Sequence, residues 1–234
     1  MIVCYTWEHC GPDTLIQFDD FPGSYVRGRS KEEALEKAPA EIASYLQWYD
    51  NSILEEPLFF SESRNYEADL QVCDADSDVL LDCDRKPLTQ MEYQSLKALT
   101  LHSATCFQQL FDSVPHKTLS VSPARKTFYG QVPATAEEMY RHTKNVNAYY
   151  FDQIGVNADN EPDITACREN GFALLEAKDG YLDNRLFDGS FDELWTLRKL
   201  FRRFIWHDRI HARAMFRLAK QLPDYDRVQN PFYF

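Results

Sequence analysis

No stretch of the sequence reaches the roughly 18 uninterrupted apolar residues that a membrane-spanning helix requires, so a membrane role is not expected. The first residues, Met1 to His9, contain neither a basic region nor an apolar run of secretory type, and a cytoplasmic location is the expectation. The six cysteines (4, 10, 73, 83, 106 and 167) include no CxxC pair. That scatter fits neither a zinc knuckle nor a dense disulfide framework, and it predicts reduced thiols. An HExxH protease motif is also missing, because Asp208 follows His207. Asp74, Asp76 and Asp78 imitate the start of a calcium loop, but Val79 stands where that loop needs glycine and Arg85 where it needs a bidentate glutamate. Calcium is therefore not expected there.

What is present is a globular composition, 44% hydrophobic and 14% aromatic over 234 residues, which excludes a disordered chain. The net charge of −12 is unevenly placed. Residues 1–86 hold 19 acidic against 7 basic side chains, and the remainder hold 18 of each. An acidic surface disfavours nucleic acid as a partner, since phosphates must be neutralised by Lys and Arg. The charge step also suggests two separately built units.

The predicted class is α+β: residues 1–72 as a small α+β domain, 73–87 as a solvated acidic linker, and 88–234 as an all-α four-helix bundle. Alternating apolar residues predict strands over 2–7, 14–18 and 24–27, with a further short strand at 70–72. Ser30, with Glu33 three residues on, opens a helix over about 31–49, inside which Pro39 marks a kink or a later start. Thr89 and Thr135 cap helices over 90–113 and to 154; further helices are expected over 163–178, with Gly171 as a weak point, and 191–222.

The last of these carries the most informative pattern. Leu197, Leu200, Phe204, His207, His211, Ala214 and Leu218 recur at alternating intervals of three and four, a seam that points into a bundle core. His207 and His211 thus occupy apolar positions, one turn apart on one face. On the second bundle helix, Met139, His142, Val146 and Tyr149 form a similar seam, so His142 is expected to face inward. A single core histidine is more often a packing residue than a ligand; two at spacing four with a third on another seam leave packing and metal binding evenly matched. His9, His102 and His116 show no such pairing. The same final helix bears a run of Arg and Lys, expected to meet the acidic N-terminal unit rather than nucleic acid, and the aromatic tail from Pro231 to Phe234 is expected to pack on the body or on a second subunit.

Two resemblances extend this reading. Phe21-Pro22-Gly23, Gly28, Glu32-Glu33-Ala34-Leu35 and Ala38 are similar to the strand-turn-helix signature of HicB-like antitoxin domains, which implies a fold for residues 1–50 and a partner-binding or accessory role. Residues 140–150 with Ile154-Gly155, and residues 204–211, resemble the second and fourth helices of the DinB/YfiT-like superfamily. That resemblance, over residues 88–222, implies that His142, His207 and His211 hold one divalent metal ion, nickel or zinc foremost, in a bundle that often dimerises. It implies a metal-dependent enzyme acting on a small molecule, with thiol-dependent transfer, using a low-molecular-weight thiol, or hydrolysis as the reaction classes. The competing expectation is a non-enzymatic regulatory module whose bundle senses metal or is stabilised by it. No acid, base or nucleophile can be assigned from the sequence.

Overall fold

Alternation of apolar residues builds the first strands of the computed structural model, which describes every residue except 55, 74–76, 78, 122, 124, 128 and 129. The three aspartates of the calcium-like run lie outside the described residues. Strands β1 (Ile2–Cys10) and β2 (Asp13–Phe18) form an antiparallel hairpin, and β3 (Tyr25–Gly28) pairs antiparallel with β2. Ser30 Oγ then accepts the Glu33 amide at 3.2 Å and starts α1 (Lys31–Asp50), which runs through Pro39 and ends at Asn51 in the left-handed conformation. The chain returns in β4 (Phe59–Glu67), parallel to β1, giving the sheet order β3-β2-β1-β4.

The expectation of a strand at 70–72 is corrected: the fourth strand is β4, and Val72 instead packs against Leu15, Tyr25 and Trp206. Most of β4 is exposed, so its sequence lacks the alternation by which a half-buried strand is recognised.

Strand periodicity divides the sheet into two faces. Val3, Tyr5, Ile16, Phe18 and Val26 pack beneath Ala34, Ala38 and Ile42 of α1. The opposite face carries Leu15, Gln17 and Tyr25, and it is covered from the second half of the chain.

That half is helical. Thr89 and Thr135, each with a glutamate completing a capping box, open α2 (Gln90–Ser113) and α3 (Ala136–Asp152); Asp163 caps α4 (Ile164–Glu176) and Thr196 caps α5 (Leu197–Ala219). Helix α5 lies against α2 and α3, and α4 packs on the same two, so the four close around shared apolar residues. Gly171 is a packing requirement of α4: a Cβ there would run into the Phe151 ring of α3. Helix α5 starts at Leu197, not near Phe191 as expected. Residues before it form a small hairpin, β7 (Phe187–Asp188) with β8 (Leu194–Trp195), whose turn places Phe191 at φ 59°. Two further short strands, β5 (Lys126–Thr127) and β6 (Gly130–Gln131), lie between α2 and α3. Among the described residues, no helix is long and apolar enough to cross a membrane.

The two halves share a buried seam. Gly23, at φ 80°, lets the β2–β3 turn touch α5; a Cβ would stand 2.6 Å from Ile205 Cγ2 and from the Trp206 backbone nitrogen. Three arginines of α5 enter this seam paired with carboxylates, although Nε and Nη1 of Arg209 are buried without a hydrogen-bond partner. Arg202 Nη2 meets Asp84 Oδ2 at 2.6 Å, Arg209 meets Glu41 at 3.0 Å with its guanidinium carbon 5.0 Å from the ring centres of Tyr45 and Trp48, and Arg213 shares that carboxylate. Two acidic side chains of the first 86 residues, Glu41 and Asp84, are thus matched to arginines of α5. In the run expected as a solvated linker, Ser77, Val79, Leu80, Leu81 and Asp84 are buried, while Cys73, Asp82, Arg85, Lys86 and Pro87 are exposed. The aromatic tail packs on the body, with Phe232 buried beside Trp48.

Candidate metal centre

Helix α5 is buried on almost every side, and its apolar residues Leu197, Leu200 and Phe204 give way one turn later to His207 and two turns later to His211. His207 is buried and His211 is partly open. On α3 the inward residues are Met139, Thr143, Asn147 and Tyr150. His142 is therefore not interior, as the seam on that helix suggested. It sits at the edge of the buried face, exposed, and turned toward α5.

Despite their different burial, the three imidazoles converge. One ring nitrogen from each lies within 4.8 Å of the other two, and the ring centroids are 4.5 to 5.0 Å apart. His207 Nε2 and His142 Nε2 are 3.2 Å apart. Two nitrogens bound to one tetrahedral zinc at about 2.0–2.1 Å stand about 3.4 Å apart, so the pair is already close to ligand geometry. The same distance also fits a hydrogen bond between two neutral imidazoles, one donating and one accepting.

Electrostatics favours the neutral, lone-pair-bearing form of His207 and His211. Burial, then the neighbouring His211 and His142, hold His207 well below the usual histidine range. Burial, His142 and the positive charge of Arg27 lower His211 to about 3. Neutral imidazole is the form that binds a cation. The donor set of three nitrogens therefore suits a borderline divalent ion such as zinc or nickel. One feature of such sites is not built in: Nδ1 of His207 is buried with no hydrogen-bond partner, where a carboxylate or carbonyl commonly orients a ligating ring.

No fourth Asp, Glu, His or Cys joins the group among the described residues. All three histidines line a cavity of about 1110 Å³, whose other walls come from α1, β3, α5, the 125–133 segment and Tyr233 and Phe234. The Tyr150 ring stands edge-on to His207 at 5.9 Å and forms part of the packing behind it.

The other histidines lie elsewhere. His9 stacks on Trp7 and meets Asn65 at 2.9 Å; His102 stacks on Trp48; His116 faces Asp224 at 3.3 Å. Sequence reasoning missed Arg27 as a neighbour of the group. Its position follows from the β2–β3 register, which sets Arg27 opposite Leu15 on the α5-facing side of the sheet, and no spacing along the chain encodes that pairing. No family model, no curated protein and no solved structure matches the chain.

Proposed function

We propose that the protein is a divalent-metal-dependent enzyme acting on a small molecule, with His142, His207 and His211 as the metal ligands. The carrying observation is the convergence of three imidazole nitrogens within 4.8 Å, with no fourth protein ligand among the described residues, on the wall of a large cavity. A site with three protein ligands leaves a coordination position for water or substrate, whereas structural zinc sites are closed by four. A bound ion there supplies Lewis acidity, polarising a carbonyl or lowering the pKa of water or a thiol. The chain's own part is to keep His207 and His211 neutral by burial and to offer a cavity of about 1110 Å³, just above the roughly 300–1,000 Å³ usual for small-molecule pockets.

Kinship of residues 88–222 with the DinB/YfiT-like superfamily belongs to this proposal. It is supported by four mutually packed helices with the histidine pair on the last and the third ligand on the second. A HicB-like character for the N-terminal part is supported by the order of three strands, a capped helix and a fourth strand. Thiol-dependent transfer and hydrolysis are the candidate reactions.

The test is metal analysis of the purified protein, loaded with zinc or nickel and dialysed, beside the double variant His207→Ala/His211→Ala. About one equivalent in the parent and less than a tenth of that in the variant is expected from loss of two of three ligands. Equal metal in both would overturn the ligand assignment. Absence of metal in both would leave the cluster as a hydrogen-bonded histidine group.

A further inference from the structure

The lining of the cavity runs against the charge of the whole chain. Acidic residues outnumber basic ones by 37 to 25 overall, yet the described lining carries six cations, Arg27, Lys37, Arg125, Arg213, Arg217 and Lys220, and a single carboxylate, Glu41. That carboxylate is already shared by Arg209 and Arg213, so it leaves no negative charge over. Lys37 is balanced by Glu33 outside the cavity. Arg27, Arg217 and Lys220 form no ion pair with any described residue, and Nε of Arg27 is buried without a hydrogen-bond partner. A cleft lined by one sign of charge concentrates ligands of the opposite sign, and low-dielectric walls strengthen the effect. An acidic exterior around it repels polyanions such as nucleic acid, which also could not enter a pocket of this size.

The other walls are apolar. Met139, Val146, Ile210, Phe216 and Phe234 line the same space. Arg27 lines the same cavity as the three histidines, on the α5-facing side of the sheet opposite Leu15. A guanidinium offers a planar fork of donors that matches an oxyanion.

From these features we infer that the cavity takes a small organic oxyanion, its acidic group held by Arg27 beside the histidines and its hydrocarbon body against the apolar wall, with Arg217 and Lys220 supplying the attracting field. This names the substrate class for the site proposed above and rests on reading the cavity as the place where a small molecule meets the three histidines. The shared chemistry is a carboxylate or phosphate on an apolar body.

The experiment uses the full chain, both stripped of metal with chelator and loaded with zinc, and two matched fluorescent probes. One is 8-anilinonaphthalene-1-sulfonate, an aromatic anion; the other is uncharged N-phenyl-1-naphthylamine. The anion is expected to bind at one equivalent in both metal states. Its Kd should rise about tenfold or more in Arg27→Met, as loss of a charge-assisted hydrogen bond implies, and less in Arg27→Lys and Arg217→Met. The uncharged probe should bind parent and variants alike. Competition by succinate or by inorganic phosphate then tells a carboxylate from a phosphate preference. Equal binding of the anion by parent and variants, or displacement by neither competitor, overturns the inference. Anion binding in the zinc-loaded protein alone also overturns it, since the ion and not the arginines would then be the anchor. Zinc content of the same samples is read separately, so loss of the metal assignment and loss of the anion assignment give different results.

Discussion

His207 and His211 are kept neutral by the same burial that lines them up as donors, and this has a sign that can be measured. Their ordinary value is 6.5 and the fold lowers both. Above pH 6.5 neither state binds the proton; below it the unfolded chain takes up protons that the folded one resists. Stability held above pH 6.5 is therefore lost as the pH falls through that value toward the folded ones. In metal-stripped protein the unfolding free energy from urea titration should drop between pH 7 and 5, by at most about 1.4 kcal/mol per pH unit for each histidine and less for His211, which is partly open. The variant His207→Gln/His211→Gln should flatten that slope; an unchanged slope would refute the assignment. Glu41 also has a disproportionate role, because Arg209 and Arg213 both depend on it in the interior. Burial raises its pKa, but the two guanidinia outweigh this and keep it ionised. Glu41→Gln should cost about 3–5 kcal/mol in urea unfolding, the usual penalty for stranding a buried charge.

At the scale of elements, two close approaches set how the site is held. Gly23 brings the β2–β3 turn onto the backbone of α5 at Trp206, next to His207, and its φ of 80° suits glycine. Gly23→Ala should destabilise the protein by about 1–3 kcal/mol through overpacking, with added strain at that φ, and should weaken zinc binding because α5 must shift. Gly171→Ala, against Phe151 on the far side of α3, should lower stability by a similar amount while leaving zinc stoichiometry unchanged. Thermal melts with and without zinc separate the two outcomes. Much of this layer was legible in the sequence. The caps at Ser30, Thr89 and Thr135 mark helix starts because their side chains accept amide hydrogens that have no other partner. The spacing of His207 and His211 follows from helical periodicity. Three things were not legible. β4 is an exposed edge strand without alternation; the start of α5 was read too early because the apolar residues around Phe191 look helical; and convergence of α3 on α5 is tertiary, so His142 could be paired with the others only through resemblance.

For the molecule as a whole, α5 is the shared element: it packs on α2 and α3, carries two of the three histidines, and sends its arginines to carboxylates from the first 86 residues. Unfolding should therefore be one event. Tryptophan fluorescence and far-UV ellipticity should give coincident urea transitions, and zinc should shift both midpoints together, since a ligand that binds only the folded state stabilises everything coupled to it. Two separated transitions would show that the N-terminal sheet and the helices unfold independently. The tail lines the cavity, and this bears on where a purification tag can be joined. Tyr233 and Phe234 are part of the cavity wall, and Asn230 ties the Phe234 carbonyl and amide in place at 2.8 and 3.1 Å. A hexahistidine tag fused after Phe234 would emerge from that wall and set six extra imidazoles beside a three-imidazole site, competing for the ion and crowding the entrance. The Met1 amine is held instead by the Pro57 carbonyl and Glu56, and neither residue lines the cavity, so a cleavable tag belongs at that end.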